Sequence, residues 1–450
     1  MSKRIMVLVM AAGLLLCGCE KKVEQKKLMP VPKGDALVII SPHWEGVRKE
    51  FGDAFKKWYK EKYNKEVNIE WLDQGGSSDD LRFVKSEFAK NPGTTGIDIF
   101  FGGGVEPHLE LMKNGYTLPY KIPEQILKLI PKEISGMPIY DPAYNWYGAC
   151  LSGFGIVYNK AVLKALNLPE PKTWEDLADS RVIGWVSSAD PRHSGSIHMM
   201  YEIILQAYGW QKGFEIITKM GGNIKSFSKH ASQVAKDVST GQSAYGLAID
   251  SYGWAQVAEV GEDKVGYIMP QNLTVINPDA ISILKGAPHP DLAKAFLEFV
   301  MSPEGQKLWM LRKGQPDGPK EFELNRLSVM PGLYKEIANR SVIRVNPFAW
   351  KASFVYSSEK GSLRYTILND FIGAFIIDTH KELERAWKAI IAGNFKEPAV
   401  KKFVELPCSE EELFTMAREK WNDQAFRNGR IKEWIDFARK KYKEAERLAK

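Results

Sequence analysis

From residue 36 onward the chain switches between two hydrophobic periods. "ALVIIS" is an unbroken apolar run of strand length, whereas "WEGVRKEFGDAFKKWYKEKY" places Val47, Phe51, Phe55 and Trp58 at steps of four, four and three, one face of a helix. "EVNIEWLD" returns to alternation and predicts a second strand. "GGSSDDL" then supplies a turn and a helix start for "RFVKSEFAK", and "GIDIFFGGG" is a strand running into a glycine-rich loop. Strand, helix, strand, helix, strand in this order predicts an α/β fold with a parallel sheet and right-handed crossovers. Ligands on such sheets collect at the carboxyl ends of the strands. "SPHWEG", "DQGGSSDD" and "FGGG" all fall there, so His43, Trp44, Glu45, Ser77, Ser78 and Gly103 are expected on one edge.

The N-terminus breaks this pattern. A basic "MSKR", an apolar "IMVLVMAAGLLL" too short to span a bilayer comfortably and a small-residue "LCGCE" predict an export signal over residues 1–18 with processing before a cysteine. Cys19, preceded by the small Gly18, is a better lipidation site than Cys17, which follows the bulky Leu16. Residues 19–35, charged, proline-containing and without apolar period, read as a lipidated tether. A folded part held at a membrane by lipid is therefore expected, in the periplasm or on the outer face of the cytoplasmic membrane.

Charge adds little about the ligand. The formal net charge of +7 becomes +5 once Lys3 and Arg4 are removed (7 − 2), and "RIKEWIDFARKKYKEAERLAK" alone carries +4 (eight Lys/Arg less four Asp/Glu). Such a run usually marks a solvated helical face, and no zinc-finger or RNP-like signature points to nucleic acid. Cys150 and Cys408, 258 positions apart (408 − 150), are expected as unpaired, small apolar residues. No H-E-x-x-H, G-x-S-x-G, P-loop or folded-body C-x-x-C is present, so neither enzyme nor cofactor is expected. His193 and His198, five apart, do not share a helical face as a zinc pair would.

An anion-binding element is legible in "SADPRHSGSIHMMYEIIL". A helix starting near Ser194–Ser196 would present free N–H groups and its dipole to an anion, with Gly195 allowing close approach. Arg192, just before it, is a candidate bidentate partner for carboxylate or phosphate.

The succession "SPHWEGVRKEFGDAF", "GGSSDDL", "GIDIFFGGG", "GFGIVYNKAVL" and "PKTWEDLADSRVIGWVSSADPRHSGSIHMMYEIIL" resembles the family 1 extracellular solute-binding proteins of ABC importers, in their ferric-ion, thiamine and phosphonate flavour. The resemblance covers roughly residues 36–310 and includes a helix at "LEFVMSPEGQKLWM". It implies a type II, two-lobe binding-protein fold: lobe 1 over 36–145, lobe 2 over 146–275, a return to lobe 1 over 276–320 and a mostly helical C-terminal extension over 321–450. It also implies a small-molecule ligand in the interlobe cleft and an ABC permease as partner; a membrane sensor is the alternative use of such a lobe pair. In ferric-ion binders of the family, a histidine at the position of His43 and two adjacent tyrosines hold the metal. Here only Tyr252 of "AIDSYGWAQ" is a phenol, between Ser251 and Gly253, so a metal is not favoured and iron stands as the alternative ligand. With Asp250 beside it, Tyr252 is expected at the second-lobe edge of the cleft, and a small polar, anionic solute is the expected ligand.

Overall fold

The apolar run that begins the folded body forms β1 (Ala36–Ile40), whose last four side chains are buried. After it come α1 (Glu45–Tyr63), β2 (Asn68–Leu72), α2 (Ser77–Lys90), β3 (Ile99–Phe101) and α3 (Glu106–Lys113). β1 pairs in parallel with both β2 and β3. In this computed structural model, which describes residues 36–450 except 135, 344 and 350–353, Val47, Phe51 and Phe55 of α1 are fully buried and Trp58 is half-buried. Each such side chain contributes about 1.5–3 kcal/mol on burial, so the face marked by the spacing is the one that docks the helix. The leader, Cys19 and the tether lie outside the described residues.

A short α4 (Glu124–Leu127) and a hairpin of β4 (Glu133–Ile134) and β5 (Met137–Pro138) lead into β6 (Tyr147–Asn159), thirteen residues buried throughout. The second lobe follows as α5 (Lys160–Ala165), β7 (Val186–Ala189), α6 (Gly195–Tyr208), α7 (Trp210–Asn223), β8 (Ile224–Ser228), α8 (Ala231–Ser239), β9 (Tyr245–Ile249), α9 (Asp250–Val260) and β10 (Val265–Ile268). β11 (Ile276–Ile283) then returns to the first lobe, antiparallel to β3. The first half of β6 pairs with β11, and its second half pairs with β9 and β10. One strand therefore belongs to both lobes. β7 is parallel to β8 and to β9, so each lobe keeps a parallel core, and the sheet path reads β2-β1-β3-β11-β6-β9-β7-β8.

The "LEFVMSPEGQKLWM" segment, expected as one helix, is two: α10 (Pro290–Met301) and α11 (Pro303–Met310). Pro303 has no N–H to continue the first helix, and Ser302 caps the second by accepting from the Gly305 N–H at 3.2 Å. Beyond α12 (Leu333–Glu336), the chain forms α13 (Ser358–Ile372), a π turn at Gly373–Ile377, α14 (His380–Ala392), α15 (Glu397–Phe403), α16 (Glu410–Glu419) and α17 (Gln424–Ala449). The basic run is α17, and it is not a purely solvated face. Trp434, Ala438, Tyr442 and Ala445 form a buried stripe, and Lys441 is buried with them, its Nζ donating to the Glu405 carbonyl at 2.8 Å. Cys150 is buried and Cys408 half-buried, and neither is in a disulfide.

Candidate functional site

Residues just past β1, β2 and β3 in one lobe, and past β7, β8 and β9 in the other, line a shared cavity of about 210 Å³. This is smaller than the roughly 300–1,000 Å³ of a drug-sized site, which limits the ligand to a compact molecule. The lobes meet beside it. Gly76, at φ +145°, brings the first-lobe turn against the His193 carbonyl so closely that a methyl group there would collide with it. A Cβ on Gly195 would stand 2.9 Å from Ser77 Oγ, so the second lobe approaches through a glycine as well.

Four helices of eight or more residues begin at the cavity wall: α2 at Ser77, α6 at Gly195, α8 at Ala231 and α3 at the acidic Glu106. Their first-turn N–H groups and positive dipole ends face the space between the lobes, which favours an anion. Ser77 caps nothing and its Oγ has no hydrogen bond among the described residues. Ser194 is the N-cap of α6, accepting from the Ile197 N–H at 3.4 Å, and lies 3.3 Å from Ser196 Oγ. At the rim Lys229 forms no ion pair among the described residues, while His193 Nδ1 faces Asp79 Oδ2 of the opposite lobe at 3.1 Å.

The floor is a buried charge network. Asp279 of β11 accepts from Arg326 Nη1 at 3.1 Å, from the Gly104 N–H at 2.8 Å and from His43 Nε2 at 3.0 Å. Burial works against the Asp279 charge, but His43, Arg326 and the Gly104 N–H hold its pKa well below the usual carboxylate range. Burial lowers His43, against the opposing pull of Asp279, which favours the neutral imidazole. An ionised carboxylate only accepts; His43 therefore donates from Nε2 and accepts from Ser41 Oγ at Nδ1, 3.1 Å away. Arg326 Nη1 also donates to Ser152 Oγ at 2.7 Å, whereas its Nε and Nη2 have no partner among the described residues and the side chain lines the cavity. Beside it, Asn277 is 2% exposed and its amide oxygen is unpartnered.

His43, Trp44, Ser77, Gly103, Ser194, Gly195, Ser196 and Tyr252 are thus brought together at the cavity, although both nitrogens of His43 are already engaged within the protein. Four expected residues lie elsewhere. Glu45 is exposed and outside the lining; Ser78 faces Tyr365 OH at 3.0 Å. Arg192 is held by Asp190 and Asp378, and Asp250 is buried beside a separate cavity, its carboxylate accepting from the Ser251 N–H at 2.7 Å. Sequence reasoning missed Asp279, Arg326, Asn277 and Lys229. An aspartate inside the apolar "INPDAISI" was a readable signal for the first; no local pattern marks the others. Among the described residues no group of three or more His, Cys, Asp or Glu is placed to hold a metal ion.

Two α/β lobes joined by shared strands, closing on a small polar cavity walled by helix starts, define a binding protein of the periplasmic type II class. The bacterial extracellular solute-binding proteins match residues 53–319, 267 of 450 positions (319 − 53 + 1), and the chain belongs to that family, a family of binders and not of enzymes. The phosphoglycerate transport regulatory protein PgtC of Salmonella typhimurium is 26% identical over 246 residues, 53% of this chain and 59% of PgtC. The chain thus spans about three-fifths of that relative's length. The periplasmic binding protein AfuA from Actinobacillus pleuropneumoniae, solved with exogenous fructose-6-phosphate, superposes with a TM-score of 0.54 at 21% identity, over 71% of this chain and 94% of AfuA. Iron-bound HitA from Pseudomonas aeruginosa gives a TM-score of 0.56 at 18% identity, over 76% of this chain and all of HitA (100%). At these identities the two structures establish the fold. No described helix is long and apolar enough to cross a membrane.

Proposed function

We propose that the protein is the substrate-binding component of an ABC importer, held at the membrane by lipid on Cys19, and that it captures a compact phosphorylated organic anion between its lobes. The observation that carries this is the convergence of helix starts from both lobes on one small cavity, α2, α6 and α8 beside α3 at Glu106, with Arg326 and Lys229 supplying cationic donors. The unpartnered Asn277 amide oxygen, an acceptor, suits a ligand hydroxyl next to the anionic group. Phosphoglycerate in the name of PgtC and fructose-6-phosphate in AfuA are ligands of this chemistry, which supports the reading.

Thermal melting tests it, with 3-phosphoglycerate, fructose 6-phosphate, inorganic phosphate, glycerate and Fe³⁺ with citrate as the panel. Ligand at a hundredfold over its Kd adds about 2.7 kcal/mol to folding stability. A shift with a phosphorylated organic compound, absent with glycerate, is the expected result. A shift and visible colour with Fe³⁺, with no response to the phosphates, would establish the ferric alternative. Labelling with radioactive palmitate, lost in Cys19→Ala, tests the anchor separately.

A further inference from the structure

The helices after residue 353 lie beyond the family match, yet they touch both lobes next to the cleft. Their attachment to the second lobe is extensive and buried. Arg364 donates twice to Glu202 at 2.8 Å, both side chains fully buried, and Asn369 Oδ1 lies 2.7 Å from His198 Nδ1. Phe371 packs edge-on to Phe214 at 5.2 Å, and Trp387 Nε1 donates to Asn223 at 2.7 Å. The polar attachment to the first lobe is of another kind. Tyr356 OH donates to Glu106 Oε1 at 2.9 Å, Tyr365 OH lies 3.0 Å from Ser78 Oγ, and Lys113 reaches Ser362 Oγ at 2.9 Å. Among the described residues no ion pair joins α13–α17 to the first lobe.

One tyrosine bond ends on a residue of the cavity wall and the other one position along the chain from such a residue. Glu106 lines the cavity, and Ser78 follows Ser77, which also lines it. We propose that Tyr356 and Tyr365 are positioning residues: they fasten a helical segment built onto the second lobe to the first lobe, and so stabilise the closed cleft without touching the solute. The inference rests on the proposed solute-binding role for its purpose, though not for its test. Opening the lobes must break these two hydrogen bonds, whereas the Arg364–Glu202 pair moves with the second lobe as a unit. The latch therefore biases the open–closed equilibrium by their strength, and affinity for any ligand that binds the closed form follows.

The test measures lobe separation with no solute present, so its outcome does not depend on which ligand the cleft takes. Spin labels are placed at Ser86→Cys on α2 and Gln233→Cys on α8, both exposed, in a Cys408→Ser background. Pulsed electron resonance then compares the parent with Tyr356→Phe/Tyr365→Phe. Longer distances in the variant are expected, and Ser78→Ala, which removes one partner from the other side, should move the distribution the same way. Unchanged distances in both would overturn the proposal, and a lower melting temperature without a change in distance would show that the tyrosines only brace the fold. Where 3-phosphoglycerate binds, its Kd should rise roughly two- to tenfold per lost bond. A failure of that compound to bind would count against the proposed ligand and leave the distance result standing.

Discussion

Replacing Arg326 by methionine removes the guanidinium that faces Asp279 and Ser152 while keeping much of the stem volume. Asp279 would retain the His43 and Gly104 donors at 3.0 and 2.8 Å but lose its buried countercharge at 3.1 Å. Removing one member of a buried pair costs about 3–5 kcal/mol, because the remaining charge has no compensation. With two neutral donors left, we expect the lower end, about 3 kcal/mol at pH 7. Neutralising the partner as well, in Arg326→Met/Asp279→Asn, should recover about 2 kcal/mol of that, a coupling of the size seen between contacting residues. The pH dependence has a defined sign. The folded pKa of Asp279 is depressed, so the stability it contributes is present above the unfolded carboxylate value of about 4 and is lost as pH falls below it; the penalty of Arg326→Met should shrink over the same range. Urea unfolding at pH 7 and at pH 2.5, below the unfolded carboxylate value, measures all of this. A single-variant loss below about 1 kcal/mol at pH 7, or strict additivity in the double variant, would refute the argument that Arg326 and Asp279 act as a pair.

Asp250 should behave in the opposite sense: burial pushes it up to about 6, so its stability contribution is present below about 4 and lost as pH rises through 6. Asp250→Asn should therefore gain on the parent by up to about 3 kcal/mol between pH 4 and pH 7 in urea unfolding, and a constant difference would contradict the burial argument. His108 and His198 are both lowered to about 4 by burial, so stability is full above the ordinary value of 6.5 and declines as pH falls towards 4; their ring resonances should show no titration above pH 5 by NMR. Gly76→Ala forces a side chain into a glycine-only conformation and against the His193 carbonyl. It should raise the Kd of whichever phosphate shifts the melt by more than about tenfold, the lower end of such strain, and an unchanged Kd by calorimetry would show that the lobes close without that contact.

The first-lobe order β1-α1-β2-α2-β3 was readable because each element carries one clean period and ends at glycine or a polar turn. The placement of candidate ligand residues at strand ends followed from that order, and eight of the twelve reach the cavity. What sequence could not supply was the competition for each polar group. His43 meets a carboxylate 236 positions away, Ser78 meets a tyrosine 287 positions on, and Arg192 is shared with an aspartate 186 positions on. Each looks available for a ligand until the fold brings its internal partner. Arg326 shows the converse: it lies past the family match and in no periodic segment, yet a bridge between Leu151 and Leu327 carries it into the cleft wall.

The thirteen buried residues of β6 carry a further consequence. A loop hinge concentrates rotation in a few soft dihedrals, and lengthening the loop widens the swing. Here the connection is a continuous strand with ladder partners along its length, β11 on one half and β9 with β10 on the other. Relative rotation of the lobes must then be absorbed as a change of twist spread along β6 and β11, with the ladder intact. Such a joint acts as a torsion spring: it has a preferred angle, it resists displacement on either side, and its stiffness is set by strand length and side-chain packing and not by the composition of any linker.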